Sequence, residues 1–169
     1  MIARRSAVLV ATVTLAVALS ACTPAAAPTP TPSPTGFASK EEAFAAAEAT
    51  YRAYVDETNR LLAGDDKADP MNYLNGQARI DEEKVQQLLA DSKRRLSGQF
   101  QITDFSPESW TSDEVQAFVC LDLSGVRVES VEGASLSQDG RTAQNLLEVR
   151  ISGFSEPRII SSVLRSESC

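Results

Sequence analysis

Two hydrophobic periods divide residues 39–169. Up to Gly98 apolar side chains recur at helical spacing, and beyond it they alternate. Ser39 with Glu42 three residues on forms a capping box. Phe44, Ala47, Tyr51, Tyr54, Val55, Thr58, Leu61 and Leu62 then share one helical face, and Gly64 supplies a stop. Asp65-Asp66-Lys67-Ala68-Asp69-Pro70 reads as a loop. Pro70 opens a short helical turn through Met71, Tyr73 and Leu74 to Asn75-Gly76. Asp81 is the expected cap of a third helix, with Val85, Leu88, Leu89 and Leu96 on its face and Gly98 at its end.

Phe100 and Ile102 alternate within residues 99–105, a run that ends on a further apolar residue, Phe105, and Val115, Ala117, Val119, Leu121 and Leu123 alternate over 115–123. The second run extends past Gly125, read as a bend, through Val126, Val128 and Val131. Gln138-Asp139-Gly140 is a turn signal, followed by a strand with Leu147, Val149 and Ile151 on one face. Pro157 opens a last strand through Ile159, Ile160, Val163 and Leu164 to Cys169. Helices first and antiparallel strands afterwards predict an α+β domain, with helices on one face of a curved sheet.

The preceding 38 residues cannot build a core. Arg4 and Arg5 form a basic n-region, and residues 6–21 carry no charge. That stretch falls short of the roughly 20 residues needed to cross a bilayer core, so it reads as a cleavable signal at 1–21. Leu19-Ser20-Ala21-Cys22 resembles the bacterial lipobox: a branched residue, two small ones, then Cys. The resemblance implies that the Cys22 thiol receives a diacylglyceryl group, that the signal is cut just before it, and that acyl chains hold the chain at the extracytoplasmic face of the cell membrane. Two or three acyl chains anchor stably where one does not. Residues 22–38 then form the lipidated Cys and a Pro/Thr-rich tether. Five Pro among residues 23–36 favour polyproline II, which at about 3.1 Å per residue could hold the folded part roughly 40 Å from the lipid.

Charge and cysteines fit that address. The net charge is −7, and losing Arg4 and Arg5 with the signal leaves the rest more acidic still. Nucleic-acid affinity rests on Lys and Arg at phosphates, so a nucleic-acid partner is not expected. With Cys22 lipidated, Cys120 and Cys169 remain as an even pair in an oxidising compartment. The expected outcome is a disulfide on the outer side of the sheet, with the last strand lying antiparallel to 115–123. Two free thiols are the alternative.

The helix over 44–62, the Asp69-Pro70 turn and the Val119-Cys120-Leu121-Asp122-Leu123-Ser124-Gly125-Val126 strand with its final Cys169 together resemble the NTF2-like fold. The resemblance covers residues 39–169. It implies a cone of three N-terminal helices packed on a curved antiparallel sheet of about four strands, enclosing a pocket. The fold hosts enzymes, carriers and binding modules, so it leaves function open.

Chemistry is sparse. The chain has no His, which removes the commonest general base and metal ligand. Asp65, Asp66 and Asp69 fail the EF-hand template, with Lys67 third and Pro70 sixth. No cofactor or metal is implied. Ketosteroid isomerase-like and SnoaL-like enzymes of similar fold use a pocket Asp with Tyr or a second acid. Here alternation points Asp122 away from the inner face, together with Phe118 and Cys120, and Glu148 and Arg150 likewise. Tyr51, Tyr54, Tyr73 and Trp110 are the candidate pocket residues, each offering an apolar body and a polar tip. The leading expectation is a non-catalytic envelope lipoprotein that binds a partner protein or a small apolar ligand. The alternative is a secreted isomerase or cyclase with a pocket carboxylate and Tyr.

Overall fold

The computed structural model describes residues 36–136, 142–153 and 155–169. The signal, Cys22, most of the tether and the Gln138-Asp139-Gly140 turn lie outside the described residues. The described residues belong to one compact unit.

Helix α1, Lys40–Leu62, begins as its sequence demands. Ser39 Oγ accepts from the Glu42 N–H at 3.1 Å, and Glu42 Oε2 accepts from the Ala38 N–H at 2.7 Å. Two donors otherwise orphaned at the helix start are thereby satisfied. The buried stripe of α1 is Ala43, Ala47, Thr50, Tyr51 and Val55. Ala43 and Ala47 let the backbone approach the sheet, and the buried Thr50 hydroxyl donates to the Ala46 carbonyl at 2.7 Å.

Beyond a loop, Pro70–Tyr73 makes one 3₁₀ turn capped by Asp69, whose side chain accepts from the Met71 N–H. Helix α2 follows as Gly76–Asp91. Its cap is Asn75, not Asp81. The Asn75 carbonyl takes the first helical bond from the Arg79 N–H, and its own N–H donates to Ile159 of the sheet at 2.9 Å. Asp81 lies inside the helix, pairing with Lys84 at 3.0 Å. Among the described residues the α-helices therefore number two, with a 3₁₀ turn between them.

The end of α2 is a second correction. The helix stops at Asp91, and Lys93 turns the chain with a φ of 53°. Strand β1, Arg94–Ser97, takes the place of the expected last helical turn, Leu96 included. It pairs antiparallel with β4, Arg127–Ser130, to form a small sheet of two strands. Between them the chain continues as β2, Gln101–Trp110, and β3, Glu114–Asp122. β5, Gln144–Ser152, and β6, Arg158–Ser166, complete an antiparallel four-stranded sheet in the order β2-β3-β5-β6.

β2 runs five residues further than the alternation predicts. Its register shifts between Ile102 and Asp104 and again between Pro107 and Ser109. Irregularities of this kind break strict alternation, and Pro107 is tolerated because β2 is an edge strand. Trp110, one of the candidate pocket residues, is the last residue of β2 and stands opposite Val115.

The inner face follows the predicted alternation. Val115, Ala117, Val119, Val149, Ile151 and Ile159 are buried and meet the α1 stripe. Phe37 joins this core, two residues before the capping box. Each fully buried Val or Ile contributes roughly 1.5–3 kcal/mol over leaving it exposed, so this face dominates the stability of the domain. On the outer face Arg150 pairs with Glu114 at 2.8 Å and Arg165 with Glu148 at 2.8 Å.

Cys120 and Cys169 form a disulfide, with Cα atoms 5.9 Å apart. The route to it differs from the expected one. β6 pairs with β5, not with β3, so the residues after Ser166 must cross the outer face of β5 to reach β3. That crossing explains why Cys120, on the outer face, is only 5% exposed.

Candidate functional site

Helix α2 packs mainly on β6 and β1, and α1 on the 3₁₀ turn, β2 and β3. The two helices share little direct contact, and a groove opens between them. Its volume is about 600 Å³, within the ~300–1,000 Å³ usual for small-molecule sites. One wall is the C-terminal half of α1, with Tyr54, Val55, Thr58, Leu61 and Leu62. The other is α2, with Glu82, Val85, Gln86, Leu89 and Ala90. Leu96, Phe100 and Leu121 form the remaining side, and Arg94 and Arg95 stand beside them. Leu61 and Val85 stay 40% and 45% exposed, because nothing within the described chain covers them.

A smaller cavity of about 200 Å³ adjoins it. Tyr54, Glu82, Val85 and Leu121 line both, which places the junction at the middle of the two helices. Tyr51, Leu74, Ala78, Asp81 and Ile159 line only the smaller one.

Of the four aromatic candidates, Tyr54 alone lines the large groove. Tyr51 is a core residue, 2% exposed, with its ring 5.9 Å from that of Tyr54 and 6.2 Å from that of Phe105. Tyr73 in the 3₁₀ turn and Trp110 at the end of β2 line neither cavity. Burial pushes both the Tyr51 and the Tyr54 phenol above the ordinary tyrosine range. Tyr54 adds a smaller push to Tyr51, and Glu82 does the same to Tyr54. Tyr54 is therefore a neutral hydrogen-bonding group at physiological pH.

Asp122 lies away from the groove. Its Oδ1 accepts from the Ser124 N–H at 2.7 Å, and this bond lowers its pKa and holds the turn after β3. The carboxylates of the Asp65–Asp69 loop serve the chain itself. Asp65 pairs with Arg60 at 2.5 Å and accepts from the Lys67 N–H, and Asp69 caps the 3₁₀ turn.

The residues that sequence reasoning missed come from β1. Arg95 reaches Glu129 on β4 at 2.9 Å, and Ser97 Oγ donates to the same carboxylate at 2.7 Å. Ser97 and, less strongly, Arg95 hold the Glu129 carboxyl below its ordinary range. Arg94 shares a face of the strand with Leu96, and its guanidinium has no partner among the described residues. No sequence signal marks these positions, because Leu96 continues the helical stripe of Val85 and Leu89 perfectly well. Phe100 and Leu121, by contrast, follow from the strand alternation.

A second missed contact shapes the groove. The Asn59 amide clamps the start of β2, donating to the Phe100 carbonyl at 2.9 Å and accepting from the Phe100 N–H at 2.8 Å. Both bonds fix Phe100 against the end of α1.

These features define an α+β domain carrying an apolar groove with charges at its edges. No protein-family model matches the chain, and no curated protein matches it. Among solved structures it is similar to the intermembrane space region of the chloroplast protein ARC6, at 11% identity and a TM-score of 0.49. The match covers 72% of this chain and 95% of that one.

Proposed function

We propose that this chain is a non-catalytic envelope lipoprotein, anchored through lipid on Cys22, whose NTF2-like domain holds a small apolar ligand or an apolar segment of a partner. The observation that carries the reading is the groove between α1 and α2: about 600 Å³, with Leu61, Leu62, Val85, Leu89, Leu96 and Phe100 on its walls. Apolar side chains left in contact with water around a concavity are the ordinary mark of a binding site. The lipobox resemblance supports the address, and the helices-then-strands order supports the NTF2-like assignment.

Binding of an environment-sensitive apolar dye tests it. Leu89→Gln should cut dye binding several-fold while the far-ultraviolet circular dichroism stays unchanged. Dye binding that is absent, or indifferent to Leu89 and to Leu62→Gln, overturns the reading.

One juxtaposition favours a second reading. Glu82 faces the same cavities as Tyr54, so a carboxylate and a neutral phenol meet at one place, as an isomerase or cyclase would need. In that case Glu82→Gln would abolish turnover of a bound carbon acid while leaving dye binding intact.

A further inference from the structure

We infer that the large groove takes a single-chain acyl carboxylate, with the alkyl chain between α1 and α2 and the carboxylate on Arg94. The inference rests on the ligand-binding reading above and gives that ligand a chemical class.

The charges of the groove are segregated. Glu82 stands where the large and small cavities meet, whereas Arg94 and Arg95 line only the large one. Between Glu82 and Ala90 the helix advances roughly 12 Å, and Arg94 opens the strand that follows the helix end at Asp91, which sets acid and base toward opposite ends of the groove wall. The two arginines differ. Arg95 is neutralised by Glu129 at 2.9 Å, while the Arg94 guanidinium has no partner among the described residues. Arg94 is also exposed, so an anion bound there keeps part of its hydration and avoids the cost of full burial. A guanidinium offers a planar fork of donors that matches a carboxylate, and such charge-assisted pairs are the strong ones. Glu82 at the far end repels an anion and tolerates an alkyl terminus. One orientation follows: head at Arg94, tail toward Val85 and Leu121. An uncharged apolar ligand would leave Arg94 unused, and a cationic amphiphile would face it with like charge.

Photo-crosslinking separates these outcomes. The full-length chain, reconstituted in phosphatidylcholine nanodiscs, is exposed to three diazirine-tagged probes with the same alkyl chain: a carboxylate, the matching alcohol and the matching trimethylammonium. Labelled peptides are then mapped by mass spectrometry. The expected result is labelling of the 54–62 and 82–90 segments, strongest for the carboxylate. Arg94→Gln should reduce carboxylate labelling roughly tenfold, the loss of one charge-assisted bond, and leave alcohol labelling unchanged. Arg94→Lys, which keeps the charge, should retain part of it. Equal labelling by alcohol and carboxylate, preference for the cation, or indifference to Arg94→Gln overturns the acyl-carboxylate assignment and leaves the apolar groove standing. Labelling by none of the three probes overturns both.

Discussion

Gly98 and Gly125 show how tightly single residues determine this fold. Gly98 has a φ of 93°, and a Cβ built there would collide with the Gly125 carbonyl oxygen; a Cβ on Gly125 would meet the Gln99 carbonyl at 2.9 Å. The turns that lead from β1 into β2 and from β3 into β4 pass each other at this point, and only two glycines allow it. Gly98→Ala should destabilise the domain by at least ~1–3 kcal/mol from the strained backbone, with the clash in addition. Urea denaturation measures this, and an unchanged midpoint would show that the two turns do not meet. The tyrosines give a pH signature. Both Tyr51 and Tyr54 have phenols raised by burial, so the folded state keeps protons that the unfolded chain releases above about pH 10. Their contribution is complete below that pH and is lost as the pH climbs toward the folded value. Stability should therefore fall in strong alkali, with tyrosinate absorbance rising together with unfolding. Tyr51→Phe should blunt that fall.

Among the elements, the C-terminal one carries the clearest mechanical consequence. β6 is an edge strand, and its Val163 and Leu164 are 42% and 48% exposed. The Cys120–Cys169 bridge ties the segment beyond β6 to β3, across β5. Terminal strands fray unless something holds them. A disulfide over a separation of 49 residues stabilises by about 4 kcal/mol on the chain-entropy view. Cys169→Ser should lower thermal stability markedly. Cys120→Ser should cost as much or slightly more, because its hydroxyl replaces a thiol that is only 5% exposed. The double variant should be no worse than Cys120→Ser, since all three lose the same bond. Mass spectrometry of the non-reduced protein checks the bond directly: two free thiols would contradict it.

The molecule as a whole would join a lipid anchor at Cys22 to an acidic chain with a groove suited to an acyl ligand. The net charge of −7 makes nonspecific attraction to anionic lipid surfaces weak, so membrane residence would depend on lipid at Cys22. Cys22→Ala should move the protein out of the membrane fraction or leave an uncleaved precursor. Fractionation followed by intact-mass analysis distinguishes these outcomes, and a mature wild-type chain without an acylated N-terminal Cys would refute the anchor.

Local chemistry alone specified α1 from the Ser39–Glu42 cap onward, because capping and the stripe from Ala47 to Val55 act within a few residues. It specified the inner faces of β3 and β5 as well, since a strand buried on one side must alternate. The limits of α2 were beyond its reach. Asn75 became the cap through a bond to Ile159, 84 positions along the chain, and Arg94–Ser97 became a strand because β4 offered it a partner at Arg127–Ser130. A helix and a strand suit Leu96 equally until that partner is in place. The groove is completed for the same reason: Leu96 on its third side and Arg94, without a partner among the described residues, are supplied by β1. The path of the disulfide likewise depends on strand order, which put β5 between the two cysteines. Pairings between distant segments are settled by the packing energy of the assembled sheets, and no short stretch of sequence carries that energy.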